Sequence, residues 1–157
     1  MPVVVTEQRT TVTSSEGGRF HMCAPNFGYL KTIDGWLKLA QIIVGFITLA
    51  ILVNSFSTYH LPWTLFLTFT AFAYSVMTSL ILISAMGSAT GLTLIATMFY
   101  LNYHITGFVF YLSGGLTCVI NASQYTNLGQ IIASGVLGLF LAALYAIDVA
   151  LTFRARA

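Results

Sequence analysis

Long apolar runs, broken by short polar or turn-forming stretches, set the pattern of this chain. Between Leu39 and Ile147 there is no Asp, Glu, Lys or Arg. Four runs stand out, at about 36–56, 63–86, 93–120 and 130–153. Each is about 20 residues or longer, the length an α-helix needs to cross a hydrocarbon core of about 30 Å. The breaks carry turn chemistry. Ser57 to Leu61 leads into Pro62, a residue suited to a first helical turn. Gly87, Ser88, Ala89, Thr90 and Gly91 mark a second turn. NASQYTNLG, at 121–129, is the third connector. Residues 1–28 are polar and rich in Thr and Ser, which predicts a flexible cytosolic tail ahead of a four-span domain at 29–156. The third run is long. Leu92 to Ile120 as one helix would measure about 43 Å. We expect a long helix, starting near 93, that projects on the cytosolic side; the alternative is a span that begins near Tyr100. Tyr100, Asn102, Tyr103 and His104 form an amphipathic group suited to the membrane interface.

Two of the runs carry stripes. In the first, Asp34, Lys38, Gln41, Gly45, Thr48 and Ser55 follow steps of three and four, with Leu52 filling the gap. That is one helix face, and polar groups on it avoid lipid by turning into a bundle. In the fourth, Ser134, Gly138, Ala142, Ala146 and Ala150 recur every four residues, a spacing that permits close helix packing. The packed side meets either a neighbour in the same chain or a second copy. Asp148 lies two positions after Ala146, about 200° around the helix, so it is expected on a different face from the small residues. A carboxylate at the centre of a span costs about 2.5–3.5 kcal/mol, and a cationic partner lowers that cost. Lys38 lies at a matching depth on the first helix, so we expect an ion pair between Asp148 and Lys38 that closes the first helix against the last.

Composition narrows the class. The chain is 57% hydrophobic and 6% charged, against about 25% charged for a soluble domain. Its net charge of +2 comes without a basic cluster, which argues against a nucleic-acid partner. No cleavable signal peptide is apparent at the start, so the first span is expected to act as its own insertion signal. Arg9, Arg19, Lys31 and Lys38 flank the first run, and Arg154 and Arg156 flank the last. Four spans put all six on one side, as the positive-inside tendency requires, whereas three would divide them. The expected architecture is therefore all-α: an integral membrane four-helix bundle with short loops and both termini cytosolic.

Candidate chemistry is sparse. Intramembrane aspartyl catalysis needs two facing acids, and only Asp148 lies within the runs. Ser113 has no base within local reach, since His104 is about 13 Å away along the same helix. His21, His60 and His104 share no metal-binding spacing, and Cys23 and Cys118 form neither a disulfide framework nor a metal motif. We therefore expect no catalytic, metal or cofactor site and no small-molecule substrate. Glycines 107, 114 and 115 are expected to permit close helix contacts. Asn121-Ala122-Ser123 matches a glycosylation acceptor on the expected outer side, and Cys23 is a candidate for palmitoylation. The alternative to a structural Asp148 is a small ion or proton pathway, because intramembrane ionisable groups are often functional.

The ends of the bundle carry a resemblance. Tyr29-Leu30-Lys31-Thr32, followed by Gly35-Trp36-Leu37-Lys38-Leu39-Ala40-Gln41, resembles the opening of MARVEL-domain proteins, especially the chemokine-like-factor type. Gly138, Leu144-Tyr145-Ala146 and Phe153-Arg154 resemble their final span. The likeness extends over about 29–156. It implies a MARVEL-like fold and a non-enzymatic organiser of a specialised membrane site. Such proteins act in vesicle trafficking, junctions, membrane apposition or fusion, and escort of partner proteins. The expected partners are membrane lipids and other integral membrane proteins, including a second copy, at the plasma membrane or on trafficking vesicles.

Overall fold

The computed structural model describes residues 31–56, 61–87, 97–125 and 128–156. The expected tail at 1–28, with Cys23, lies outside the described residues. Four helices account for nearly all of the rest: α1 (Ile33–Phe56), α2 (Pro62–Gly87), α3 (Met98–Ala122) and α4 (Gly129–Arg156). At 1.5 Å per residue they measure about 36 to 42 Å. All four are long and apolar enough to cross a membrane.

Local chemistry fixes where each helix begins. Before α1, the Thr32 hydroxyl accepts from the Gly35 N–H at 3.2 Å. Pro62 opens α2, and the Leu61 carbonyl accepts from the Thr64 N–H at 3.0 Å. Leu128 plays the same part for α4, accepting from Ile131 and Ile132 at 3.0 Å each. The third helix starts later than the expected 93. Thr97 is its N-cap, with extended backbone and a side chain that accepts from the Tyr100 N–H. A capping hydroxyl satisfies an amide that would otherwise be orphaned, and so sets the first helical residue at Met98. The last turn of α3 also extends into the expected connector, through Asn121 and Ala122.

The helices form a ring. Neighbours in the chain pack side by side, α1 also packs on α4, and α3 with α4 is the most extensive pairing. Lys38 near the start of α1 meets Asp148 near the end of α4, while Ser55 near the end of α1 lies 3.0 Å from Gln130 at the start of α4. The two helices are therefore antiparallel, and the described chain ends share one end of the bundle.

The polarity is inverted relative to a water-soluble domain. Lys38, Gln41, Thr48, Ser75, Thr78, His104, Ser134 and Asp148 are all buried. Outside stand Phe46, Ile47, Phe69, Phe72, Ile83, Phe110, Phe140 and Ile147. An outward apolar face this extensive belongs in lipid, where polar groups must find partners inside.

Candidate functional site

The site is assembled from one face of each of three helices. On α1, steps of three and four carry Lys38, Gln41, Gly45, Thr48, Leu52 and Ser55 inward, while Asp34 is half-buried at the rim. On α3, Tyr100, His104, Gly107 and Tyr111 share a face by the same spacing. On α4, the corresponding positions are Ser134, Gly138, Leu141, Tyr145 and Asp148.

At the centre, the Lys38 ammonium bonds directly to Asp148 Oδ2, and both side chains are essentially inaccessible. Gln41 Nε2 donates to the same oxygen at 3.0 Å, and the Tyr100 hydroxyl donates to Oδ1 at 3.3 Å. His104 completes the cluster. Its Nδ1 lies 2.7 Å from the Tyr100 carbonyl. A carbonyl can only accept, so Nδ1 carries the hydrogen. Nε2 then holds the lone pair and accepts from Lys38 Nζ at 2.7 Å. Lys38 Nζ also sits 5.0 Å from the centre of the Tyr100 ring, a cation–π distance. With a neutral His104 the cluster sums to zero charge, and each carboxylate oxygen has a donor.

Beside the ions lies a tyrosine layer. Tyr74 stacks on Tyr103 at 4.9 Å, and Tyr111 on Tyr145 at 5.5 Å. Its hydroxyls form a directional chain. The Tyr103 hydroxyl donates to the Tyr74 carbonyl at 3.1 Å, which leaves it to accept from Thr78 at 2.8 Å. Thr78 in turn accepts from Tyr145 at 2.9 Å. A second chain runs from the Tyr74 hydroxyl to Thr106 and ends on the Asn102 carbonyl. Both therefore stop at backbone acceptors. Leu52, Leu67 and Leu141, each at most 2% exposed, fill the bundle core with apolar side chains.

The expected site residues are distributed as follows. Lys38 and Asp148 come together. Ser134, Gly138 and Ala142 are buried, but Ala146 is half-buried and Ala150 is exposed. The five do not form one packed stripe, and Asp148 shares the inward face with the first three. The reason is geometric. A step of four advances 400°, so the stripe drifts about 40° per step, whereas alternating steps of four and three hold one direction. Tyr100 and His104, expected at the membrane interface, are at most 1% exposed inside the bundle. Asn121 sits in the last turn of α3, where its amide donates to the Thr117 carbonyl, and the adjoining Ala122 is fully buried. The acceptor motif is thus not carried on a free loop. Cys118 is a buried thiol facing the Trp63 carbonyl.

Close approach of α3 and α4 depends on Gly115 and on Gly135, a residue outside the expected stripe. A Cβ on Gly115 would lie 2.8 Å from the Gly135 carbonyl oxygen, and one on Gly135 would lie 3.0 Å from the Gly115 oxygen. Neither helix can accept even a methyl group there without moving backbone.

Fold and site together define an all-α, multi-pass membrane protein whose interior is stitched by a neutral ion cluster. Compared with known protein families, curated proteins and solved structures, the chain matches none.

Proposed function

We propose that the chain is a non-enzymatic, MARVEL-like organiser of a specialised membrane site, acting in trafficking, junction formation, membrane apposition or partner escort. The observation that carries this reading is how the ionisable groups are used. Lys38, His104 and Asp148 satisfy one another across α1, α3 and α4, so they act on the bundle's own closure. The surface left for partners is outward and apolar, studded with Phe46, Phe69, Phe72, Phe110 and Phe140. Its fitting partners are lipids and other membrane-spanning helices. Only five residues, 57–61, join α1 to α2, and six, 123–128, join α3 to α4, which leaves little outer surface for a soluble ligand. Plasma membrane or trafficking vesicles are the membranes we propose, with the basic end facing the cytosol.

A transport pathway through Asp148 gains no support from the hydroxyl chains, which end on backbone carbonyls. Proximity labelling from a cytosolic tag, combined with planar-bilayer recording of the purified chain, tests the proposal. An organiser gives focal localisation, a recurrent set of membrane neighbours and a silent bilayer. A conductance or proton flux abolished by Asp148→Asn would overturn it.

A further inference from the structure

His104 Nε2 faces two groups of opposite character at once. Lys38 Nζ lies 2.7 Å away and Asp148 Oδ2 lies 3.2 Å away. With the lone pair on Nε2, the lysine contact is a hydrogen bond and the aspartate contact is idle. A proton on Nε2 reverses both: the lysine contact becomes a meeting of two cations, and Asp148 acquires a second cationic donor. We propose that His104 is a proton-operated exchanger, which on protonation takes Asp148 from Lys38 and thereby unfastens α1 from α4. The inference stands independently of the function proposed above.

The surroundings fit this exchange. Histidine is the side chain whose ordinary titration falls between about pH 5 and 8. The ring is flanked on α3 by Tyr100 and Tyr103, on α4 by Asp148 and Tyr145, and on α1 by Lys38. From α2, Thr78 reaches the hydroxyls of Tyr103 and Tyr145. Among the described residues Asp148 is the only acid against the ring, so a second proton-derived charge there has one place to go. Lys38 has an exit as well. Asp34 lies one turn nearer the rim on the same helix, half-buried, and attracts the ammonium. After the exchange, α3 holds α4 by a new ion pair and α1 keeps its outer contact of Ser55 with Gln130. Motion is therefore confined to the end of α1 that bears Lys38.

The test uses the full chain in nanodiscs. Ring-¹⁵N spectra of histidine-labelled protein, with His104→Gln to assign the signal, report the proton directly. In its neutral form the His104 ring should carry hydrogen on Nδ1 only, and as the pH is lowered through its titration both nitrogens should carry one. Spin labels at Trp36 and Phe153 should lengthen and broaden in separation over the same range, while a pair at Phe99 and Phe153 holds still. Gln at 104 keeps an acceptor for Lys38 and takes no proton, so His104→Gln should abolish the distance change. An unchanged separation, the same change in His104→Gln, or a neutral ring protonated on Nε2 overturns the proposal. Should the variant fail to assemble, the ring spectrum and the distance change in the native chain must titrate together, and a mismatch is equally fatal.

Discussion

Lys38 and Asp148 owe their position to each other. Neither charge is tolerable alone in a site of this burial, because the desolvation penalty of each ion is offset only by the other and by the surrounding donors. Removing one partner from a buried pair typically costs about 3–5 kcal/mol, mostly because the other charge is left stranded. Lys38→Met is therefore expected to lower the resistance of the bundle to denaturing detergent by about that amount. Lys38→Met with Asp148→Leu should recover much of the loss, since no ion is then stranded. Recovery should stop short of the native value, because Gln41 Nε2 and the Tyr100 hydroxyl lose their acceptor, at about 1–3 kcal/mol for each donor left unmet. Detergent titration of the two singles and the double gives the coupling. Additive losses would show that the two side chains do not depend on each other.

Glycine contacts set how closely the helices approach, and two of them make opposite predictions about rescue. A Cβ on Gly45 would clash with Ser75 Oγ on α2, with the Ser75 Cβ at 3.5 Å. Ser75 Oγ lies near the Tyr111 hydroxyl but makes no hydrogen bond of acceptable geometry. Gly45→Ala should therefore destabilise by about 1–3 kcal/mol, the usual range for overpacking, and Ser75→Ala should relieve most of it. Ser75→Ala alone should cost less than Gly45→Ala, because Ser75 Oγ has no hydrogen-bond partner of acceptable geometry to lose. Gly115→Ala meets backbone of α4 at 2.8 and 2.9 Å instead. It should cost more than Gly45→Ala, and trimming Leu139, the nearest side chain, should not restore it. The same contrast marks what is legible in the sequence. Spans, the inward stripe of α1 and the matched depths of Lys38 and Asp148 follow from hydropathy and from steps of three and four. The late start of α3 does not, because the apolar run continues through it and only the Thr97 side chain marks the break. Nor does the partnership of Gly115 with Gly135, or of His104 with Lys38, since each depends on the rotation of one helix against another. The spacing of Tyr100, His104, Gly107 and Tyr111 held the available clue, as it repeats the inward steps of α1.

Across the whole molecule, two contacts fix the topology more firmly than charge counting does. Lys38 with Asp148 ties the start of α1 to the end of α4, and Ser55 with Gln130 ties their other ends. An antiparallel α1 and α4 within a ring of four spans places Lys31 and Arg154 at one face of the membrane and Tyr125 at the other. All three side chains are exposed, so each position is open to a membrane-impermeant thiol reagent once replaced by cysteine. In a background where Cys23 and Cys118 are serine, Tyr125→Cys should label on intact cells. Lys31→Cys and Arg154→Cys should label only after the membrane is opened, if the basic end faces the cytosol as proposed. If Lys31→Cys and Arg154→Cys label on opposite faces, the four-span ring is wrong. If the two label together on intact cells while Tyr125→Cys is shielded, the ring stands and its orientation is reversed. The labelling thus separates the packing of the helices, which rests on contacts between α1 and α4, from their direction in the bilayer, which rests on charge alone.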